Sequence, residues 1–249
     1  MKCFTKMILN EIKLPESPVC LDIACGTGLS TLQLAEACRG KGTIYGIDIS
    51  AKMIDEANLV VQKQGLSNIS YMKMNAENVE FHDSTFDFVL SNMSLNFFPD
   101  KQKALSEIYR VLKPGGQFAL TYAAGSHNWE IFDVAHTVAS RHPELPGFLK
   151  AVEDARACFL GLDDSVELFR RTGFRLTNIY GRHSIYWADP SNLASDQNTW
   201  WSIYRQALPT EAVSVIRSEF NEAGREAAAP EKKLKFTTYI IFAWGTKPG

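Results

Sequence analysis

Short apolar runs alternate with helical patterns through the first half of the chain. Val19 to Ile23 is apolar and ends in a glycine turn, Cys25-Gly26-Thr27-Gly28. Leu29, Leu32 and Ala35 follow at helical spacing, and Gly40 stops that stretch. Thr43 to Asp48 reads as a second strand. Ser50 is placed to cap the next helix, whose apolar stripe is Met53, Ala57, Val60 and Val61, with Gly65 where a C-cap glycine belongs. Ile69 to Lys73 and Phe86 to Ser91 read as strands three and four. Asp100 then caps a helix with Ala104, Leu105, Ile108, Val111 and Leu112 inward. Lys113-Pro114-Gly115-Gly116 ends it, and Gln117 to Tyr122 is a fifth strand. Strands alternating with helices argue for βαβ units and a parallel sheet, an α/β fold.

After Tyr122 the rhythm changes. Residues 123–165 read as mainly helical, with Trp129, Phe132, His136 and Ala139 on one face. A helix from Asp164 to Thr172 leads through Gly173 into a strand from Phe174 to Tyr180. A polar, aromatic region from Ser184 to Trp201 follows, then a helix from about Glu211 to Ala228 and a last strand from Lys235 to Thr246. The expected organisation is one domain over 1–249. Its cofactor-binding core is 18–122, and insertions at 123–165 and 184–232 form a substrate cap.

Composition narrows the possibilities. The 249 residues are 45% hydrophobic, enough for a sizeable core, so disorder is excluded. Lys plus Arg number 26 and Asp plus Glu 28, so the chain lacks the basic excess of a nucleic-acid binder. The longest apolar candidate, Tyr239 to Trp244, is too short for a membrane span. The N-terminus carries Asn10 and Glu11 where a secretory leader needs an unbroken apolar run, and it reads as a short amphipathic helix with Phe4, Met7, Ile8 and Ile12 on one side. The cysteines at 3, 20, 25, 38 and 158 form no CxxC pair and are expected to be reduced thiols in a cytoplasmic protein.

The glycine turn is the first chemical signal. A turn between a strand and a helix offers backbone N–H groups and a helix N-terminus to an anion or polar cofactor tail. The dinucleotide pattern GxGxxG is incomplete, because Thr31 stands at its third position, and no Gly-Lys-Ser/Thr follows to make a Walker loop. Asp48 closes the second strand at the spacing where a carboxylate accepts hydrogen bonds from ribose hydroxyls. On these residues alone, NAD and S-adenosylmethionine both fit.

LDIACGTG at 21–28, YGIDIS at 45–50, NAENVEFHDSTFDFVLS at 75–91 and LKPGG at 112–116 together resemble the ordered motifs of class I S-adenosylmethionine-dependent methyltransferases. Within that class they are similar to the small-molecule branch that includes the ubiquinone/menaquinone methyltransferases (methyltransferase type 11). The resemblance implies a doubly wound, Rossmann-like, mostly parallel seven-stranded sheet with the last strand antiparallel. It implies that Asp22 and the backbone of Ala24, Gly26 and Gly28 hold the methionine end of S-adenosyl-L-methionine. Asp48 takes the ribose diol, Ile49 packs on adenine, Asn75 and Ala76 meet the adenine edge, and Ser91 offers its carbonyl to the cofactor amino group. The family usually has Asp where this chain has Asn75. An amide oxygen can still meet the adenine amino group, without charge assistance.

The implied reaction is methyl transfer to an O, N or C atom of a small-molecule acceptor, with S-adenosyl-L-homocysteine as product. A base is needed only if the acceptor arrives protonated. His127, directly after the fifth strand, is the first choice for it, and His183 a distant second. His82 reads as solvated, His142 as a helix-end cap and His136 as a core histidine. Trp129, Phe132, Tyr186, Trp187, Trp200, Trp201 and Tyr204 concentrate in the insertions, where they pack a cap or line a pocket for an aromatic or apolar acceptor. No Asn/Asp-Pro-Pro-Tyr/Phe turn follows the fourth strand, which argues against nucleobase methylation; Ser91-Asn92-Met93-Ser94 stands there. No carboxylate cluster for a metal is evident. The alternative from another class is a protein that binds S-adenosylmethionine without transferring methyl, as a pericyclase-like catalyst or a binding partner. A nicotinamide-dependent oxidoreductase is disfavoured by Thr31 and by NAENVEF.

Overall fold

The computed structural model describes residues 2–195, 198–228 and 232–249, without the side chains of Lys2 and Cys3. The elements run α1 (Lys2–Leu9), β1 (Val19–Ile23), α2 (Leu29–Ala37), β2 (Thr43–Asp48), α3 (Ala51–Gln64), β3 (Ile69–Lys73), β4 (Phe86–Asn92), α4 (Lys101–Val111) and β5 (Leu112–Ala123). They continue with α5 (Trp129–Ser140), α6 (Pro146–Ala157), α7 (Leu162–Thr172), β6 (Arg175–Ala188), α8 (Thr199–Gln206), α9 (Val213–Ala227) and β7 (Leu234–Thr246).

The sheet has the order β3-β2-β1-β4-β5-β7-β6. Strands β1 to β5 pair in parallel. β7 runs the other way. Gly115 bonds Lys247 and Ala124 bonds Tyr239, so rising numbers along β5 meet falling numbers along β7. The stacked pairs Tyr180–Phe242 and Tyr186–Phe236 give the same sense for β6 against β7. β1 lies between β2 and β4, so the chain reverses its winding direction there. In open α/β sheets that switch point, at the carboxyl ends of the strands, is where ligands bind.

The chain clusters into two units: Met1–Tyr122 with Gly161–Gly181 and Ile241–Gly249, and Ala123–Leu160 with Arg182–Ile240. In the first, β1 and β4 are almost wholly buried, as strands of a parallel sheet are. Asp100 caps α4 by accepting from the Lys103 N–H at 2.9 Å, and Gly65 ends α3 in a left-handed conformation at φ 65°. In the second unit Ile131, Phe132, Val138, Phe148, Trp201, Tyr204 and Phe220 form the core.

Several local expectations are corrected. The buried stripe of α3 is Ile54, Ala57 and Val61, with Met53 41% exposed. His136 is exposed, because α5 buries Ile131, Val134, Ala135 and Val138 with Phe132 and Ala139. β5 begins at Leu112, and Lys113-Pro114-Gly115-Gly116 forms an irregularity in the strand: Leu112 pairs with Phe86 and Gln117 with Phe88. Gly115 and Gly116 bond Lys247, a distant partner that no local pattern reveals. β6 runs on to Ala188, and α8 begins at the end of the polar, aromatic region from Ser184 to Trp201.

Candidate functional site

The glycine turn follows directly from the end of β1. Ala24, Gly26 and Gly28 have φ of 56°, 57° and 85°, a run of left-handed residues that coils the chain tightly. The N–H of Cys25 donates to the Ile47 carbonyl at 3.0 Å, tying the turn to β2. Gly28 also has no room for a side chain, since a Cβ there would lie 2.2 Å from the Tyr71 hydroxyl oxygen. Tyr71 is thus a support of the turn that sequence reasoning missed.

Asp48, at the carboxyl end of β2, is half-buried. Its Oδ2 accepts from the Gly26 N–H and its Oδ1 from the Ser50 N–H, both at 2.9 Å. Each carboxylate oxygen keeps accepting capacity beyond one such bond. The carboxylate therefore fixes the turn and can still receive hydroxyl donors.

Asp22, in the middle of the switch point, is fully buried. Its Oδ2 accepts from the Thr31 hydroxyl at 2.6 Å, while its Oδ1 has no partner. Burial pushes its carboxyl up to about 7, against the Thr31 bond and with help from the Asp48 charge. A buried carboxyl with one oxygen unsatisfied is costly unless something completes it.

Beside these groups lies a cavity of about 260 Å³ lined by Ala24, Asp48, Ile49, Met74, Asn75, Ala76, Glu77, Met93, Ser94, Phe97, Phe98 and Pro99. Five of the candidate residues meet here: Ala24, Asp48, Ile49, Asn75 and Ala76. Ile49 is 67% exposed and Phe97 51%, two large apolar side chains with open faces. Gly26 joins the cavity through its bond to Asp48, and Ser91 through Ser94, since the two hydroxyls are hydrogen-bonded. Ser91 itself is fully buried and donates to the Ile23 carbonyl at 2.9 Å, stitching β4 to β1.

Two further features shape the cavity. Met93 has φ 58°, unusual for a long side chain, and is held by bonds from its N–H to the Thr121 carbonyl at 2.7 Å and hydroxyl at 3.2 Å. The loop after Asn75 is gripped by Arg110 of α4, which donates to the carbonyls of Val79 and Phe81 and to Glu107 and Asp83. Met74, Met93, Ser94, Phe97 and Phe98 were not anticipated. The Phe97-Phe98 pair just before the Asp100 cap was the one signal available.

A larger hollow of about 710 Å³, lined by Lys6, Leu29, Leu32, Gln33, Gln64 and Leu66 among others, contains none of the candidate groups.

His127 belongs to the second unit. It is 9% exposed, its Nδ1 has no partner, and burial lowers its pKa to about 4, so it is neutral at pH 7. Its ring lies 6.0 Å from Phe159, which packs on Phe132 and Trp200. His183 is stacked on Tyr239 and exposed, and His82 is exposed. His142 bridges Glu144 and Glu219 at 2.8 and 2.9 Å, an ionic clamp with its pKa raised by the two carboxylates. Trp200, Trp201 and Tyr204 are buried, whereas Trp129, Tyr186 and Trp187 are exposed. Among the described residues no group of three metal-ligating side chains comes together, and no helix is long and apolar enough to cross a membrane.

Residues 21–120 match the family profile described as "Methyltransferase domain". The demethylmenaquinone methyltransferase of Anoxybacillus flavithermus is 30% identical over 183 residues, covering 68% of this chain and 75% of the relative. The enzyme of the same name from a Geobacillus species is 37% identical over 109 residues, 44% of this chain and 47% of the relative. The chain thus spans about half the length of several curated relatives it matches. A Bacillus halodurans C-125 crystal structure, described as a methyltransferase candidate, superposes with a TM-score of 0.68 at 18% identity, covering 98% of this chain and 99% of that one. That likeness concerns the fold.

Proposed function

This chain belongs to the class I S-adenosylmethionine-dependent methyltransferases of the quinone methyltransferase type, and from that premise we propose that it transfers a methyl group from S-adenosylmethionine to an O, N or C atom of a small-molecule acceptor. The observation that carries this reading is the Asp48 carboxylate, which braces the glycine turn through Gly26 while lining the same cavity as Ile49, Asn75 and Ala76.

The donor's chemistry fits these residues. Asp48 offers acceptor capacity for ribose hydroxyls and disfavours a 2′-phosphate. Ile49 and Phe97 offer apolar faces for a purine. The unpaired Oδ1 of Asp22 suits the ammonium of the methionine end, and the glycine turn leaves backbone close enough to approach it. When bound, S-adenosylmethionine supplies a methyl group on a sulfonium, displaced in line by the acceptor. The protein's part is to align the two and exclude water, worth up to about 7–11 kcal/mol in favourable cases.

We read the acceptor as a planar or apolar molecule, as the names of the demethylmenaquinone relatives suggest. His127, neutral at pH 7 and with an unpaired Nδ1, is the proposed base for an acceptor that arrives protonated.

Calorimetric titration with S-adenosylmethionine and S-adenosylhomocysteine, with Asp48→Ala as control, tests the reading. Micromolar binding that the variant loses supports it, followed by a screen of phenols, amines and quinols for S-adenosylhomocysteine release. No binding of either ligand overturns it. Binding without release for any acceptor favours a protein that holds the cofactor and transfers nothing.

A further inference from the structure

We propose that Cys20 and Cys38 form a redox-active dithiol, a modification site at which a hydroperoxide is reduced and a reversible disulfide fastens β1 to the end of α2.

The topology brings these two cysteines together from distant points in the sequence. Side chains two apart on a strand share a face, so Cys20 points to the same side of β1 as Asp22. That side carries α2, because Thr31 in its first turn donates to Asp22 at 2.6 Å. Cys38 follows Thr31 by about two helical turns, which puts both residues on one side of the helix. The helical geometry holds to that point, since the Cys38 N–H donates to the Leu34 carbonyl at 2.9 Å. β1 runs towards the glycine turn and α2 runs back from it, so the chain returns to the level of Cys20. There the two thiols are hydrogen-bonded.

The pair is asymmetric. Cys20 sits inside the sheet, in register with Ile44 and Phe88, and is fully buried. Cys38 lines a cavity of about 400 Å³ together with Leu14, Glu16, Arg39 and Lys41. The hydrogen bond from Cys20 holds the Cys38 thiol below its ordinary value, against its burial. The same bond, with burial, pushes the Cys20 thiol up. Cys25, by contrast, is pushed up by burial and by the Asp22 and Asp48 charges. A thiolate is the nucleophile in thiol chemistry, so Cys38 is the entry thiol and Cys20 the resolving one.

The Cys38 thiolate attacks the terminal oxygen of the hydroperoxide and breaks the O–O bond. The remaining oxygen takes a proton from solvent and leaves as an alcohol, or as water from hydrogen peroxide, and Cys38 becomes a sulfenic acid. The Cys20 sulfur then attacks the Cys38 sulfur. An S–S bond forms, the S–O bond breaks, and hydroxide departs with the Cys20 proton as water. The thiols are oxidised to a disulfide and the peroxide is reduced. A dithiol reductant reverses the step by exchange. The closed ring spans residues 20–38 and so encloses Asp22 and the glycine turn. A bland reading is that both cysteines only fill the core, as buried thiols do.

The experiment treats the full folded chain with a small molar excess of hydrogen peroxide, then alkylates under denaturing, non-reducing conditions. Cleavage after Glu16, Asp22 and Glu36 leaves Cys20, Cys25 and Cys38 on separate peptides for mass spectrometry. The expected result is the Cys20 and Cys38 peptides joined with the loss of two hydrogens, parted again by dithiothreitol, with Cys25 alkylated. Cys20 and Cys38 both alkylated overturns the proposal, and so does Cys38 carried to sulfinic acid beside an intact Cys20 thiol. In Cys20→Ser the reaction is expected to stop at a sulfenic acid on Cys38 that dimedone traps; a folded variant without that adduct removes Cys38 as the entry thiol. The bridge in wild type is read without any variant, so a variant that fails to fold leaves the test decisive. The bridged chain is expected to melt above the reduced one, because the ring restricts the unfolded chain. Melting below it overturns the claim that the folded chain accommodates the bond. No nucleoside is present in any arm, so the result does not depend on the methyl-transfer reading.

Discussion

Thr31 donates its hydroxyl hydrogen to one oxygen of Asp22 at 2.6 Å, and the other oxygen of that buried carboxyl has no partner. Because burial raises this carboxyl to about 7, Asp22 is half-protonated near neutrality. A cationic ligand favours the ionised form. Affinity for S-adenosylhomocysteine, whose amino group is charged, is therefore expected to climb by up to about tenfold per pH unit below 7 and to level off above it. Calorimetry between pH 6 and 8, in buffers of different ionisation heat, measures the proton released. Asp22→Asn is expected to flatten the profile; an unchanged slope in that variant would remove Asp22 from the binding equilibrium.

His127 has the opposite sign. The unfolded chain protonates this imidazole near 6.5, the folded chain only near 4. Between those values the unfolded state binds more protons, so stability falls as pH drops through the window. At about 1.4 kcal/mol per pH unit the loss is about 3 kcal/mol. Asp22, raised from 3.8, favours the folded state over much of the same range, so the informative quantity is the difference between wild type and His127→Leu in urea melts at pH 7 and pH 4.5. The variant is expected to lose less stability on acidification. If His127 is the base, turnover of a hydroxyl acceptor also falls about 10²–10⁴-fold in His127→Ala while ligand affinity stays.

Gly28 carries two constraints at once, a φ of 85° and the Tyr71 hydroxyl lying 2.2 Å from where a Cβ would sit. Gly28→Ala is expected to cost about 1–3 kcal/mol and to abolish nucleoside binding. Adding Tyr71→Ala relieves the clash but not the backbone strain, so thermal melting of the double variant should recover only in part.

Arg110 is expected to act at a distance. Its guanidinium holds the Val79 and Phe81 carbonyls, and Glu107 accepts from the Val79 N–H at 2.7 Å. Arg110→Leu should loosen residues 78–84 and weaken S-adenosylhomocysteine about tenfold. Hydrogen exchange at Val79 and Phe81 should rise in the variant, whereas exchange in β1 should not.

The parallel part of the sheet was readable because its signals are local. The glycine turn, the end of β2 at Asp48 and the Asp100 cap are written within a few residues of where they act. Asp87, within β4, accepts from the Val19 N–H and from Lys113. Where pairing is remote, the pattern failed. Lys113-Pro114-Gly115-Gly116 looks like a stop, yet Lys247 recruits it into the sheet. His136 looked inward because Trp129 was counted as core, but Trp129 stacks under Arg156 at the surface and the buried face turns away from both. Met93, Ser94 and Phe97 reach the cavity through a positive φ and a short 3-10 turn, neither of which leaves a periodic trace.

Ile49 and Phe97, both more than half exposed, present two apolar faces at one cavity. Occupancy by a purine would hide those two side chains from other proteins.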